Sequence, residues 1–313
     1  MWRFALRRVL FGVVLFVIVS FTTMLLLSFS FDSIIGSRLG SAATPESIAT
    51  MRADLGLDKS IFSLYAEWLG NVVRGDFGSS FFTGQAIGDS IPPRLGVTMS
   101  VVIPALLISA VIAVVLGTLA ATRGGWVDKT AQGMMLTGYL IPNLLIAIIL
   151  VVVFAVNLGW VPAGGFTSFA TDPSAWAKSV VLPVAAMAFG GAANIANQVR
   201  GTMIDELRKD YVRTLRTRGV PTRSIVIRHA LRNAAGPALT VLGLTFINLF
   251  GAALFIEQVF ALPGFGIYSF NVALQGDFPV LMGLTAFSVA LTIGVNLLID
   301  VANGWLNPKA RMF

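Results

Sequence analysis

The sequence predicts an all-α integral membrane protein of about six transmembrane helices, and three observations carry that prediction. Of 313 residues, 56% are hydrophobic and 12% charged, too few solvating side chains to cover a soluble fold of this length. Uncharged runs of more than 20 residues recur along the chain, each long enough at the helical rise to cross a hydrocarbon layer of about 30 Å. The basic residues segregate: all but six of the 22 Lys and Arg fall on one set of alternating connections.

The first span is Val9 to Phe31, preceded by Arg3, Arg7 and Arg8. Its uncharged core is longer than a secretion signal requires and no small-residue cleavage site follows directly, so it reads as a retained anchor. The second runs from Leu95 to Thr122, the third from Thr130 to about Val156, the fourth from Ser179 to Val199, the fifth from Asn233 to Ile256 and the sixth from Phe278 to Ile299. The third stops there because Gly159, Pro162, Gly164 and Gly165 break helical continuity. The chain therefore divides into an anchor helix with a long connecting loop, 1–94, and a core membrane domain, 95–313.

Basic residues outside the favoured side are Arg38, Arg52, Lys59, Arg74, Arg94 and Lys178. By the positive-inside rule both termini are cytoplasmic. The net charge of +7 is then topological, and nucleic acid is not an expected partner. The lipid bilayer is.

The loop from Asp32 to Arg94 carries Ile61, Leu64, Tyr65, Trp68, Leu69 and Val72 at helical spacing, which predicts an amphipathic helix on the outer interface, closed by Gly75 and Gly78. It suits a packing cap over the bundle and a docking surface for an outer partner equally. Within the spans stand Pro104, Pro142, Pro183 and Pro237, tolerated where neighbouring helices satisfy the freed carbonyls. Small residues at Gly190–Ala193 and Gly251–Ala253 permit close helix approach. Asn143, Asn194, Asn197, Gln198, Asn248 and Asn296 suit interhelical hydrogen bonds or the lining of a path. Ionisable groups are nearly absent from the spans, which disfavours a proton- or sodium-coupled carrier.

The segment from Arg200 to Asn233 is long and basic, and helix-forming. Met203, Leu207, Tyr211 and Leu215 fall four residues apart and predict one helical face. Gly219 suits a left-handed helix closure and Pro221 the first turn of the next helix. There Val226, Ile227, Ala230, Leu231 and Ala234 form an apolar face against Arg223, Arg228 and Arg232. Apolar knobs with a basic rim fit another protein's groove, and they fit a membrane surface as well.

Asp210 to Gly219, with Arg228-His229-Ala230-Leu231-Arg232-Asn233 after it, resembles the coupling loop of ABC importer permeases in the version found in the dipeptide and oligopeptide family. Asp54 to Asp58, Arg74 to Ser79, Leu158 to Ala163, Glu257 to Phe260 with Pro263 to Gly266, and Asn307 to Arg311 are similar to that family in the same order, so the likeness runs nearly end to end. The general signature has Glu-Ala-Ala ahead of the glycine. Here Arg213, Thr214 and Leu215 stand instead, and Leu215 replaces an alanine that the peptide subfamily usually keeps.

The resemblance implies a type I ABC importer permease fold in the bacterial cytoplasmic membrane, an ATP-driven importer of di- or oligopeptides, and a chain forming half of the translocation path. It implies as partners a second homologous permease, two nucleotide-binding ATPase subunits and an extracytoplasmic binding protein, with ATP and Mg held by the ATPase subunits and no cofactor by this chain. Asp210, Tyr211, Arg213, Thr214, Leu215, Arg216, Gly219 and Pro221 would dock the ATPase. Asn194, Asn197 and Asn248 stand as path candidates, and Glu257, Pro263 and Gly264 as outer-gate candidates. The wider group also carries nickel complexes, haem, glutathione and opines, which these residues do not exclude. The chain contains no Gly-Lys pair and hence no Walker phosphate loop. Its single histidine is His229, there is no His-Glu-x-x-His, and it has no cysteine, so enzymatic activity in the chain is not expected, and neither is a Cys-ligated metal.

Overall fold

The computed structural model describes residues 2–306, and it is helical nearly throughout. In chain order the helices are α1 (Trp2–Ser28), α2 (Phe31–Leu39), α3 (Pro45–Asp54), α4 (Ile61–Val73), α5 (Ile87–Arg123), α6 (Gly125–Leu140), α7 (Asn143–Leu150), α8 (Pro173–Arg208), α9 (Asp210–Thr217), α10 (Thr222–Ser224), α11 (Leu231–Val259), α12 (Phe265–Gln275) and α13 (Phe278–Leu306). Wider π-type turns extend α7 through Val151–Asn157 and join α10 to α11 through Ile225–Ala230. Five helices among the described residues are long and apolar enough to cross a membrane, and the bent pair α6–α7 makes a sixth if it is one span. The ending Asn307 to Arg311 lies outside the described residues.

The third span differs from its expectation. It is not straight: α6 and the α7 segment meet at 94°. Ile141 adopts an extended conformation, φ −83 and ψ 119, as a residue before proline prefers, and Pro142 cannot donate to the preceding turn. Pro183 and Pro237, by contrast, lie inside unbroken helices.

The described residues form two compact units, one of residues 2–5, 96–267 and 295–306, the other of residues 6–95 and 268–294. In the second unit, Met24, Phe31, Ile35, Leu57, Tyr65, Phe278 and Met282 form the core. Ser60 caps α4, its side chain accepting from the Ser63 N–H, and α4 packs antiparallel along α1. Phe62 stacks on Phe21, the Tyr65 hydroxyl lies 2.8 Å from Ser20 Oγ and donates to the Val17 carbonyl at 3.2 Å, and Trp68 stacks on Phe16. The predicted amphipathic helix thus uses its apolar face on the first span, as a packing cap does. Asp277, 2% exposed, ties down the loop between α4 and α5 by accepting from Ser80 Oγ at 2.5 Å and from the Phe81 N–H at 3.2 Å.

In the first unit α8 is the centre, packed by α6, α7 and α11. Asp172 starts it, accepting from the N–H groups of Ser174 at 2.8 Å and Ala175 at 3.1 Å ahead of Pro173. Those donors hold the Asp172 carboxyl below its ordinary value.

Small residues on α8 set the packing distances. A Cβ on Gly190 would overlap the Asn143 carboxamide, and one on Gly191 would stand 2.7 Å from Ser109 Oγ. From the other side, a Cβ on Gly117 would stand 2.7 Å from the Ala196 carbonyl oxygen. The close approach expected of Gly190–Ala193 is present. The one expected of Gly251 is not, because that glycine is exposed and has no atom within 4 Å of where its Cβ would be.

Candidate functional site

The loop between α8 and α11 departs from a single helical face. α8 ends at Arg208, Lys209 is extended with ψ 151, and α9 starts at Asp210. Met203 is fully buried in the α8 packing, while Leu207, Tyr211 and Leu215 are half-buried, so the expected stripe does not run through. Side-chain ties set the break. Glu206, 8% exposed, accepts from the Lys209 ammonium and from the Tyr211 hydroxyl at 2.9 Å, and that hydroxyl accepts in turn from Asn233 Nδ2 at 3.3 Å. One carboxylate thereby joins the end of α8, the start of α9 and the first turn of α11. Hydrogen bonding to Glu206 holds the Lys209 ammonium above its ordinary value. Burial, with that same carboxylate adding to it, pushes the Tyr211 hydroxyl up.

α9 closes as its sequence predicts. Gly219 has φ +75, its N–H donates to the Arg216 carbonyl at 3.0 Å, and the Val220 N–H reaches back to the Leu215 carbonyl at 3.1 Å. This pair of bonds is the Schellman closure. Pro221 precedes the next helix as its cap residue instead of occupying the first turn. Asp210, Arg213, Thr214, Arg216, Gly219 and Pro221 are exposed, whereas Val212, which the four-residue spacing did not single out, is fully buried.

Beyond Pro221 the expected apolar face holds for Val226, Ala230 and Ala234, which are buried, but not for Ile227, which is 54% exposed. The wide turn over Ile225–Ala230 shifts the register, and it buries Ile225 in the place expected for Ile227. Arg200 clamps α8 to α6 through a bidentate pair with Asp128, at 2.5 and 2.7 Å.

The path candidates come together on one side of α8. A cavity of about 550 Å³ is lined by Gln132, Tyr139, Asn194 and Asn197 among others. A second of about 310 Å³ is lined by Tyr139, Asn143, Asn194 and Asn248 with neighbouring small residues. Asn194, Asn197 and Asn248 are all exposed. Gln198 is only half-buried and lines neither cavity, and Asn296 stands against Gly243, whose Cβ would lie 3.3 Å from its Oδ1.

The gate candidates form a turn organised by Glu257. This residue is 2% exposed. Its Oε1 accepts from the Thr98 hydroxyl and its Oε2 from the Ile267 N–H at 2.8 Å, in the first turn of α12. Gly264 is required here because a Cβ would overlap the carboxylate, and one on Gly266 would lie 2.8 Å from the Leu254 backbone. Pro263 is exposed. Ala261, with φ +47, marks the tightest point of the turn.

The family described as the binding-protein-dependent transport system inner membrane component matches residues 113–312, and its N-terminal part matches residues 1–102. The chain belongs to this family. Among relatives of this permease, the putative peptide transport system permease protein of Brucella abortus (strain 2308) is 34% identical over 307 residues, 98% of each chain. The oligopeptide transport system permease protein of Haemophilus influenzae is 32% identical over 315 residues, covering 99% of this permease and all of that protein. A solved structure of the MetNI methionine ABC transporter, in an inward-facing conformation, superposes with a TM-score of 0.56 at 16% identity, covering 69% of the permease and 95% of that chain. The fold is that of an ABC importer permease, a multi-pass protein of the inner membrane.

Proposed function

We propose that this permease carries di- or oligopeptides through an ATP-driven importer, supplying half of the path and docking a separate ATPase through Asp210–Pro221. The observation that carries the reading is the anchored hairpin: exposed Asp210, Arg213, Thr214 and Arg216 on a helix whose closure at Gly219 and whose root at Glu206 are both fixed. A rigidly rooted, solvent-exposed basic helix suits insertion into a partner's groove and can transmit displacement to α8 and α11. Peptide as the cargo class rests on the relatives matched over nearly their whole length, which are named for peptide and oligopeptide transport.

In this reading both termini face the cytoplasm, a second homologous permease completes the path, and a binding protein delivers cargo from outside. ATP and Mg are held by two ATPase subunits, not by this chain, and the chain performs no covalent chemistry. Asn194, Asn197 and Asn248 line the path, and the Glu257 turn with Pro263 and Gly264 forms the outer gate. Leu215 adds an apolar contact to the ATPase, and Tyr211 roots the hairpin.

Reconstitution tests it. Proteoliposomes holding the permease pair, both ATPase subunits and the binding protein should accumulate labelled peptide only with ATP, and vesicles with this chain alone should show no uptake. Gradient-driven transport by the purified chain would overturn the reading.

A further inference from the structure

Two side chains, Tyr139 and Asn194, line both cavities beside α8, and among the described residues no other is common to the two. Their placement is fixed by the backbone. Gly138 precedes Tyr139 and Ala193 precedes Asn194, and at that point α6 and α8 approach closely: a Cβ on Gly138 would lie 3.0 Å from the Ala193 Cβ and 3.2 Å from the Phe189 carbonyl oxygen. Helices held so close cannot slide apart without losing that contact. The gap between the phenol and the carboxamide therefore depends on side-chain rotamers. The Tyr139 ring is 71% exposed on the last turn of α6, just ahead of the extended Ile141 and the bend at Pro142. Among the described residues, neither cavity is lined by an Asp, Glu, Lys or Arg.

We propose that Tyr139 and Asn194 form a constriction between the two cavities that sorts cargo by side-chain bulk and is indifferent to the sign of its charge. An aromatic ring projecting into the space shared by two cavities rejects by overlap, since the volume it fills is closed to a bulky cargo side chain. A carboxamide offers both a donor and an acceptor, so it serves a cationic, an anionic or a neutral cargo group. A fixed charge there would favour one sign strongly in a weakly screened setting.

The proposal rests on the peptide-permease reading, and its test separates the two. The complete transporter in proteoliposomes is supplied with tripeptides of equal length whose central residue is Ala, Trp, Lys or Glu. Wild type and variants share one binding protein, so its own preference cancels when ratios are compared between them. Tyr139→Ala should raise the Trp-to-Ala uptake ratio by about threefold or more, a modest change by the scale of steric discrimination, and Tyr139→Phe should leave it unchanged. Leu140→Ala, on the same turn but lining neither cavity, should also leave it unchanged. Asn194→Asp should raise the Lys-to-Glu ratio several-fold without altering the Trp-to-Ala ratio.

Should Tyr139→Ala fail to assemble, Tyr139→Trp serves instead and should lower the Trp-to-Ala ratio. An assembled Tyr139 variant that transports with the wild-type Trp-to-Ala ratio would overturn the constriction and leave the peptide reading standing. A wild-type transporter that takes up none of the four peptides would overturn the peptide reading itself.

Discussion

Thr98 donates its hydroxyl to the Glu257 carboxylate and, through the same oxygen, accepts the Phe265 N–H at 2.8 Å. One small side chain on α5 thus joins the end of α11 to the start of α12. Thr98→Val keeps the shape but takes a donor from Glu257 Oε1 and an acceptor from the Phe265 N–H in a buried setting, while the Ile267 N–H still holds Oε2. Each buried polar group left unpaired costs about 1–3 kcal/mol, so the purified protein should lose several degrees of thermal midpoint. Thr98→Ser, which retains the hydroxyl, should lose much less. A midpoint for Thr98→Val equal to wild type would show that the turn is held by other contacts.

Gly219 has its positive φ and empty surroundings, so a substitution there strains the backbone without meeting a neighbour. Strain of about 1–2 kcal/mol for a residue with a Cβ, more for a β-branched one, is too small to prevent membrane insertion and large enough to misplace α9. Gly219→Val should therefore insert at wild-type levels and lose most ATP-driven uptake in the assembled transporter. Gly219→Asn, which tolerates the left-handed region, should keep most of it. Normal uptake by the valine variant would refute the coupling role of this turn.

The α8–α9 break shows where sequence reasoning ends. Gly219 was legible because a left-handed turn needs a particular residue type, and the apolar spans were legible because hydrocarbon tolerates so few. Arg208-Lys209-Asp210 contains no glycine or proline, so helical spacing runs through it on paper. The break is braced by two short ties, Glu206 to Lys209 and Glu206 to Tyr211, and by one to a distant residue, Tyr211 to Asn233, and the last of these leaves no local signature. Pro142 was visible as a proline, like Pro183 and Pro237, but of the three it alone marks a bend, and there Gly190 leaves room for Asn143 on another helix. The three asparagines were legible as polar residues in apolar spans, while Tyr139, an unremarkable aromatic in sequence, gains its interest only from lying between two cavities. The Glu257 motif was visible as a string, and its physical content, a carboxylate gathering donors from two other segments, required the fold.

Tyr211→Phe tests the tie directly. It removes one of the two donors to Glu206 and the acceptor for Asn233, which should lower hydrogen-exchange protection of the α9 amides about tenfold, or ~1.4 kcal/mol. The folded-state values of the Tyr211 hydroxyl and the Lys209 ammonium both lie above their ordinary ones. A raised value means that the tie contributes fully below the unfolded value of about 10 and is lost as pH rises through the folded value. Protection of α9 should therefore be constant between about pH 6 and pH 9, after correction for intrinsic exchange, and should fall only at more alkaline pH. A fall centred near neutral pH would mean that another group governs the hinge.

Gly190 and Asn143 make the bend between α6 and α7 testable as a pair. A methyl group at Gly190 would occupy the space of the Asn143 carboxamide, so Gly190→Ala should force the start of α7 away from α8 and destabilise the permease by about 1–3 kcal/mol, the usual cost of overpacking. Asn143→Ala vacates that space, at the cost of any bonds its carboxamide makes. If the two residues share one volume, the double variant should be more stable than Gly190→Ala alone, with an interaction of at least about 1 kcal/mol in the double-mutant cycle, read from thermal unfolding in one detergent. Strict additivity would mean that α7 is positioned by its other contacts with α8 and α11, and that the 94° bend follows from Pro142 and the extended Ile141 alone.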